Sequence, residues 1–106
     1  MARWYAVGRL TDIAVGSSLV VETDGGHPVA VWHLADGRVF ATDDRCSHYF
    51  LSLHGAGRLN GAEVTCLGHE ARFDVTTGAA LCPPARLPLA TYDVVVDDDG
   101  RVRVRA

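Results

Sequence analysis

Residues 18–41 read SLVVETDGGHPVAVWHLADGRVFA, and the punctuation of this stretch decides the fold class. Three runs rich in Val, Trp and Phe, at 18–22, 29–34 and 38–41, are separated by Asp24-Gly25-Gly26 and Asp36-Gly37. Branched and aromatic side chains suit a pleated, half-buried surface. Asp-Gly and Gly-Gly pairs supply the positive φ that tight turns require. Such short connections make successive runs antiparallel neighbours.

The same alternation continues outward on both sides. Further strand-like runs lie at 4–7, 63–66, 71–75, 92–96 and 102–104, and the last two form a hairpin about Asp98-Asp99-Gly100. No segment sustains an apolar period of 3.6 residues, and only the short stretch 47–59 leaves room for a helical turn. The expected fold is all-β, a small sandwich or barrel. With 106 residues the chain is expected to form a single domain, residues 1–106. Residues from about 43 to 84 differ from the rest, being loop-rich and holding every cysteine. They read as an insertion carried on the β scaffold, where function tends to sit.

Composition narrows the partners. A net charge of -3 offers no basic footprint for a phosphate backbone, so no nucleic-acid partner is expected. No apolar run approaches the roughly 18 residues of a spanning helix, and the opening MARWYAVGRL has no secretory core, so the reading is a cytoplasmic protein away from the membrane. Three cysteines, Cys46, Cys66 and Cys82, favour reduced thiols and metal ligation over a disulfide framework.

Within the insertion, Cys46-Ser47-His48 and Cys66-Leu67-Gly68-His69 each present one thiolate and one imidazole. One reading is a closed, tetrahedral Cys2His2 zinc site acting as a structural module. Zinc arms usually pair Cys with Cys and His with His, so two mixed arms count against it. The other reading is a [2Fe-2S] cluster, with Cys46 and Cys66 on one iron and His48 and His69 on the other. Two loops clasping a binuclear cluster call for mixed arms, because each loop then gives one ligand to each iron. Three cysteines are too few for an all-cysteine cluster within one chain.

The succession CSH, CLGH and RFDVTTGAALCPPA resembles the Rieske family, and most closely the small stand-alone ferredoxins of bacterial aromatic-ring-hydroxylating dioxygenase systems. The likeness covers most of the chain, from the early strands and Asp43 to the late hairpin. It implies stacked antiparallel β-sheets with a loop-rich cluster-binding subdomain at one tip. It implies Cys46, His48, Cys66 and His69 as ligands of one Rieske-type [2Fe-2S] cluster. The implied role is that of a monomeric electron carrier and not an enzyme: single electrons arrive from an NAD(P)H-dependent flavoprotein ferredoxin reductase and leave to a terminal oxygenase with its own Rieske centre. The small Rieske-like subunit of an assimilatory nitrite reductase is the alternative within the same fold; such subunits often lack the full ligand set, which is complete here. The aromatic substrate is chosen by the oxygenase, so this sequence does not name it.

Two thiolates and two neutral imidazoles leave the oxidised cluster near neutral, which raises its potential to between about -150 and +300 mV. High-potential relatives add a bridging Cys pair, a Ser hydroxyl and a Tyr hydroxyl around the cluster. The matching positions here hold Leu51 or its neighbours, Gly68, Ala71 and Phe73, so a centre low in that range is expected. The second box also departs from the family pattern, with Leu67 for Pro and Glu70 for Gly. A Cβ at Glu70 is expected to resist the backbone conformation that glycine would adopt there. Tyr49 and Phe50 stand where small residues are usual and imply a bulkier docking face. Cys82, beside Pro83-Pro84, is expected to be a small buried residue without a ligand role. His33 is expected to serve packing or the surface, and His54, in the loop between the two boxes, is within reach of the cluster but is given no role.

Overall fold

The structure is a computed structural model that describes residues 3–45, 52–67, 70–82 and 87–106. The strands are β1 (Trp4–Arg9), β2 (Ser17–Glu22), β3 (Pro28–His33), β4 (Val39–Asp43), β5 (Gly57–Asn60), β6 (Glu63–Cys66), β7 (Ala71–Asp74), β8 (Ala80–Cys82), β9 (Thr91–Val96) and β10 (Arg101–Arg105). One helical turn, α1 (Leu53–Ala56), precedes β5, and a single 3-10 turn, Leu10–Asp12, follows β1. Six strands form one sheet in the order β1-β10-β9-β4-β3-β2, and β5-β6-β7-β8 form a second sheet of four. Every pairing is antiparallel. The all-β reading and the three hairpin turns are therefore what the chain forms.

The opening stretch makes the β2-β3-β4 meander, and β3 explains why its sequence reads as an unbroken apolar run. Every residue of β3 is buried. Successive side chains point to opposite faces, so Val29 and Val31 join Ile13, Ala41, Val102 and Val104 in a core inside the larger sheet. Ala30, Trp32 and Leu34 of the same stretch face the other way and pack with Leu53, Val64, Cys66, Phe73 and Val75. This second core joins the two sheets. Trp32 can be buried because its indole Nε1 donates to Thr42 Oγ1 at 3.0 Å. His33 is also buried, with Nδ1 2.8 Å from the Ile13 carbonyl, so its role is packing.

Strands β5 and β8 were not expected. β5 alternates half-buried and exposed residues over only four positions, and β8 has three, so neither carries enough period to read. They form because the β6-β7 hairpin offers two open edges. Gly57, at the start of β5, has a steric reason: a Cβ there would lie 2.3 Å from the Leu53 carbonyl oxygen and 2.9 Å from Val64. Only glycine lets the chain leave α1 and enter the sheet against this contact.

Candidate metal centre

Two chain segments converge at one end of the small sheet. The first leaves β4 through Asp44 and Arg45 and returns at Ser52, where an isolated antiparallel bridge pairs Arg45 with Ser52. Asp44 is only 3% exposed. Its carboxylate accepts from Ser52 Oγ at 2.6 Å and from the His54 backbone N–H at 2.8 Å, while its carbonyl accepts from the Leu53 N–H at 2.5 Å. Ser52 in turn caps α1 by accepting from the Gly55 N–H at 3.2 Å. His54 Nδ1 lies 2.6 Å from Ser18 Oγ, which ties α1 to β2.

The second segment is the β6-β7 hairpin. Cys66 ends β6, opposite Ala71 on one side and Gly57 on the other, and is fully buried. No described group donates to or accepts from its sulfur, which packs among Val64, Ala71 and Phe73. Because Gly57 directly follows α1, the roots of the two segments are neighbours: Asp44 holds α1, and α1 leads into the strand beside Cys66.

Beyond Cys66 the connection 67–70 closes when the Glu70 N–H donates to the Cys66 carbonyl at 2.7 Å. Glu70 has φ of +60°, the one positive value at a non-glycine position among the described residues. The expected resistance of its Cβ is thus overcome: Glu70 adopts the left-handed conformation directly before β7, at a cost in strain. Leu67, next to Cys66, is 55% exposed, and Leu81 on β8 is 43% exposed.

Cys82 differs from its expected place in the core. It is half-buried at the end of β8, opposite Arg72, whose Nε donates to its sulfur at 3.3 Å. The contact raises the pKa of the Arg72 guanidinium, chiefly through this hydrogen bond and then through the charges of Cys82 and Glu63. A bulge in the β7-β8 pairing between Arg72 and Phe73 turns this part of the strand outward.

Of the four predicted ligands the structure places Cys66. Cys46, His48 and His69 lie outside the described residues, as do Tyr49, Phe50, Leu51, Gly68, Pro83 and Pro84. Among the described residues no three His, Cys, Asp or Glu side chains come together to hold a metal ion. A buried thiol with no described hydrogen-bond partner, at the root of a tight hairpin, suits a soft ligand to iron. Sequence reading missed the Asp44, Ser52 and His54 network, although Ser52 as a helix cap is a signal that could have found part of it.

Two antiparallel sheets sharing a core, with a buried thiol at the end of β6, make this a small β-protein with a candidate soft metal ligand at one end of the smaller sheet. The chain belongs to the Rieske [2Fe-2S] domain family, whose model matches residues 3–93, and its cofactor is a Rieske-type [2Fe-2S] cluster. It is 43% identical over 86 residues to the ferredoxin component of the p-cumate 2,3-dioxygenase system of Pseudomonas putida, covering 81% of this chain and 72% of that one. Its structure matches a chain of the complex of reduced oxygenase and oxidized ferredoxin in carbazole 1,9a-dioxygenase with TM-score 0.87 and 33% identity, over 95% of this chain and 91% of that chain. A chain assigned as an NADH-dependent nitrite reductase small subunit from Mycobacterium tuberculosis matches with TM-score 0.87 at 21% identity, over 100% and 96% of the two chains, which shows the shared fold alone. No helix among the described residues is long and apolar enough to cross a membrane.

Proposed function

We propose that this chain is the ferredoxin of a ring-hydroxylating dioxygenase system: an electron carrier and not a catalyst. Cys46 and Cys66 hold one iron of the [2Fe-2S] cluster, and His48 and His69 hold the other. The cluster supplies one-electron chemistry, with no coordination position open to a substrate. The electron comes from an NAD(P)H-dependent flavoprotein reductase and goes to the Rieske centre of a terminal oxygenase. The carrier works as a cytoplasmic monomer.

The observation that carries this reading is the fully buried Cys66 thiol, free of any described hydrogen bond, at the root of the β6-β7 hairpin. The 43% identity to a dioxygenase ferredoxin over 81% of the chain supports the same role. Exposed Leu67 and Leu81 supply apolar contact beside the cluster end, suited to a partner that docks and leaves. Ala71 and Phe73, both fully buried next to Cys66, bring no hydroxyl toward the ligand sulfur. Charge added on reduction is correspondingly less stabilised, which sets a midpoint in the lower part of the Rieske range.

The test is direct. Purified protein is expected to be brown, to hold about two irons and two sulfides per chain, and to give a rhombic Rieske EPR signal when reduced. Reductase and oxygenase together are expected to turn over only when this chain is added. A colourless, zinc-bearing protein would end the proposal, and copurification with a nitrite reductase large subunit would redirect it.

A further inference from the structure

We infer that Asp44 is a positioning residue for the cluster: its buried carboxylate fixes both ends of the segment that carries Cys46 and His48. The inference rests on the ligand reading above and goes beyond it, because Asp44 ligates nothing. Three observations carry it. Asp44 is 3% exposed, yet no arginine or other cation is paired with it among the described residues, so its contacts are spent on local hydrogen bonds. Those bonds reach across the segment: Asp44 precedes it, while Ser52 and His54 follow it, and the Arg45–Ser52 bridge lies between. The far end is anchored again, since His54 Nδ1 meets Ser18 Oγ on β2, and Leu53 is fully buried in the core that contains Cys66.

The chemistry follows from what a ligand segment needs. Cys46 lies two residues from Asp44, and His48 four residues before Ser52. Tying Asp44 to Ser52 and His54 closes the loop between them before the metal binds, so less chain entropy is left to be lost on ligation. A hydrogen-bonded carboxylate does this better than a neutral acceptor because charge-assisted bonds are shorter and stronger. The carboxylate also satisfies a Leu53–His54 backbone that would otherwise leave an N–H without a partner in a partly buried turn.

The experiment compares Asp44→Ala, Asp44→Asn and Ser52→Ala with Tyr92→Phe in the cluster-loaded protein. Tyr92→Phe removes a hydrogen bond of similar length from the adjacent Asp43, 2.5 Å, but on the β9 side and away from the segment. Readouts are the rate of iron loss to a chelator, the reduced EPR spectrum and thermal unfolding. Asp44→Ala is expected to lose iron on the order of tenfold faster than wild type with shifted or broadened EPR features. Asp44→Asn, which can still accept from His54 and meet Ser52, is expected to recover most of the wild-type rate. Iron loss and EPR unchanged in Asp44→Ala would overturn the inference, as would Tyr92→Phe accelerating iron loss equally. If Asp44→Ala does not fold, Ser52→Ala decides by the same criteria at a smaller effect. The wild-type EPR spectrum tests the ligand reading separately, since it depends on no variant.

Discussion

Glu70 joins two effects that one set of substitutions can pull apart. Its φ of +60° places a side chain with a Cβ in the left-handed region, a cost of about 1–2 kcal/mol. Glycine removes that cost but adds about 0.5–1 kcal/mol of unfolded-state entropy to be lost on folding. Glu70→Gly is therefore expected to stabilise the protein by roughly 0.5–1 kcal/mol, a rise in Tm of about 2–6 °C for a domain of this size. Its carboxylate is also a negative charge at the cluster end. Glu70 is exposed, so a unit charge about 10 Å away in an effective dielectric of about 40–80 contributes about 0.4–0.8 kcal/mol before salt screening. For one electron that is a rise of about 20–35 mV before screening when the charge is removed. Glu70→Gln keeps the strain and loses the charge, so it is expected to raise the potential without raising Tm. Glu70→Gly is expected to do both. Thermal unfolding followed at the cluster absorbance, together with a redox titration at low and high salt, reads the two effects. Equal Tm gains in Gln and Gly variants would refute the strain argument, and a salt-independent shift would refute the electrostatic one.

Other outcomes follow from the same geometry. Phe73→Tyr brings a hydroxyl to the strand opposite β6 and is expected to raise the midpoint on the order of 50 mV, the equivalent of a hydrogen bond about 1 kcal/mol stronger in the reduced state; a redox titration showing no change would remove Phe73 from the account. Cys82→Ser is expected to leave iron content and EPR unchanged, because the sulfur answers to Arg72; iron loss on substitution would make Cys82 a ligand. Burial, followed by the hydrogen bond to Asp43, raises the Tyr92 pKa. The neutral phenol is thus favoured in the folded state, so the stabilisation is complete below the unfolded value of about 10 and is lost as pH rises above it. Chemical unfolding from pH 8 to 11 is expected to show this decline in wild type and not in Tyr92→Phe.

The parts of the molecule that were legible in its sequence share a physical property: their pattern is set by neighbours close along the chain. The β2-β3-β4 meander is written in branched residues and Asp-Gly turns because each strand pairs with the next. β5 and β8 are too short to show a period and exist only because β6 and β7 offer them edges. Cys82 was misplaced for a related reason. Its partner Arg72 is ten residues away, and a bulge, which no local composition announces, turns the pair outward. Glu70 read as a poor substitute for glycine. That expectation did not hold for the conformation, since Glu70 takes the left-handed region directly before β7.

The site divides along the same line. Its cofactor was readable because two pairs of one Cys and one His in a short chain point to a Rieske-type cluster, which the family match bears out. Its mounting was not, since any of the thirteen acidic residues could in principle be the buried one. What selects Asp44 is depth: it leaves β4 where the strand turns from the larger sheet toward the smaller, so its carboxylate faces the turn of α1 and not solvent. Asp43, one residue earlier, faces the other way and binds Tyr92. Two adjacent aspartates at the end of β4 thus serve different neighbours, with Asp43 bracing the β4-β9 junction and Asp44 the segment that bears Cys46 and His48. The end of the strand thus separates the two carboxylates, Asp43 staying with the sheet and Asp44 turning to α1.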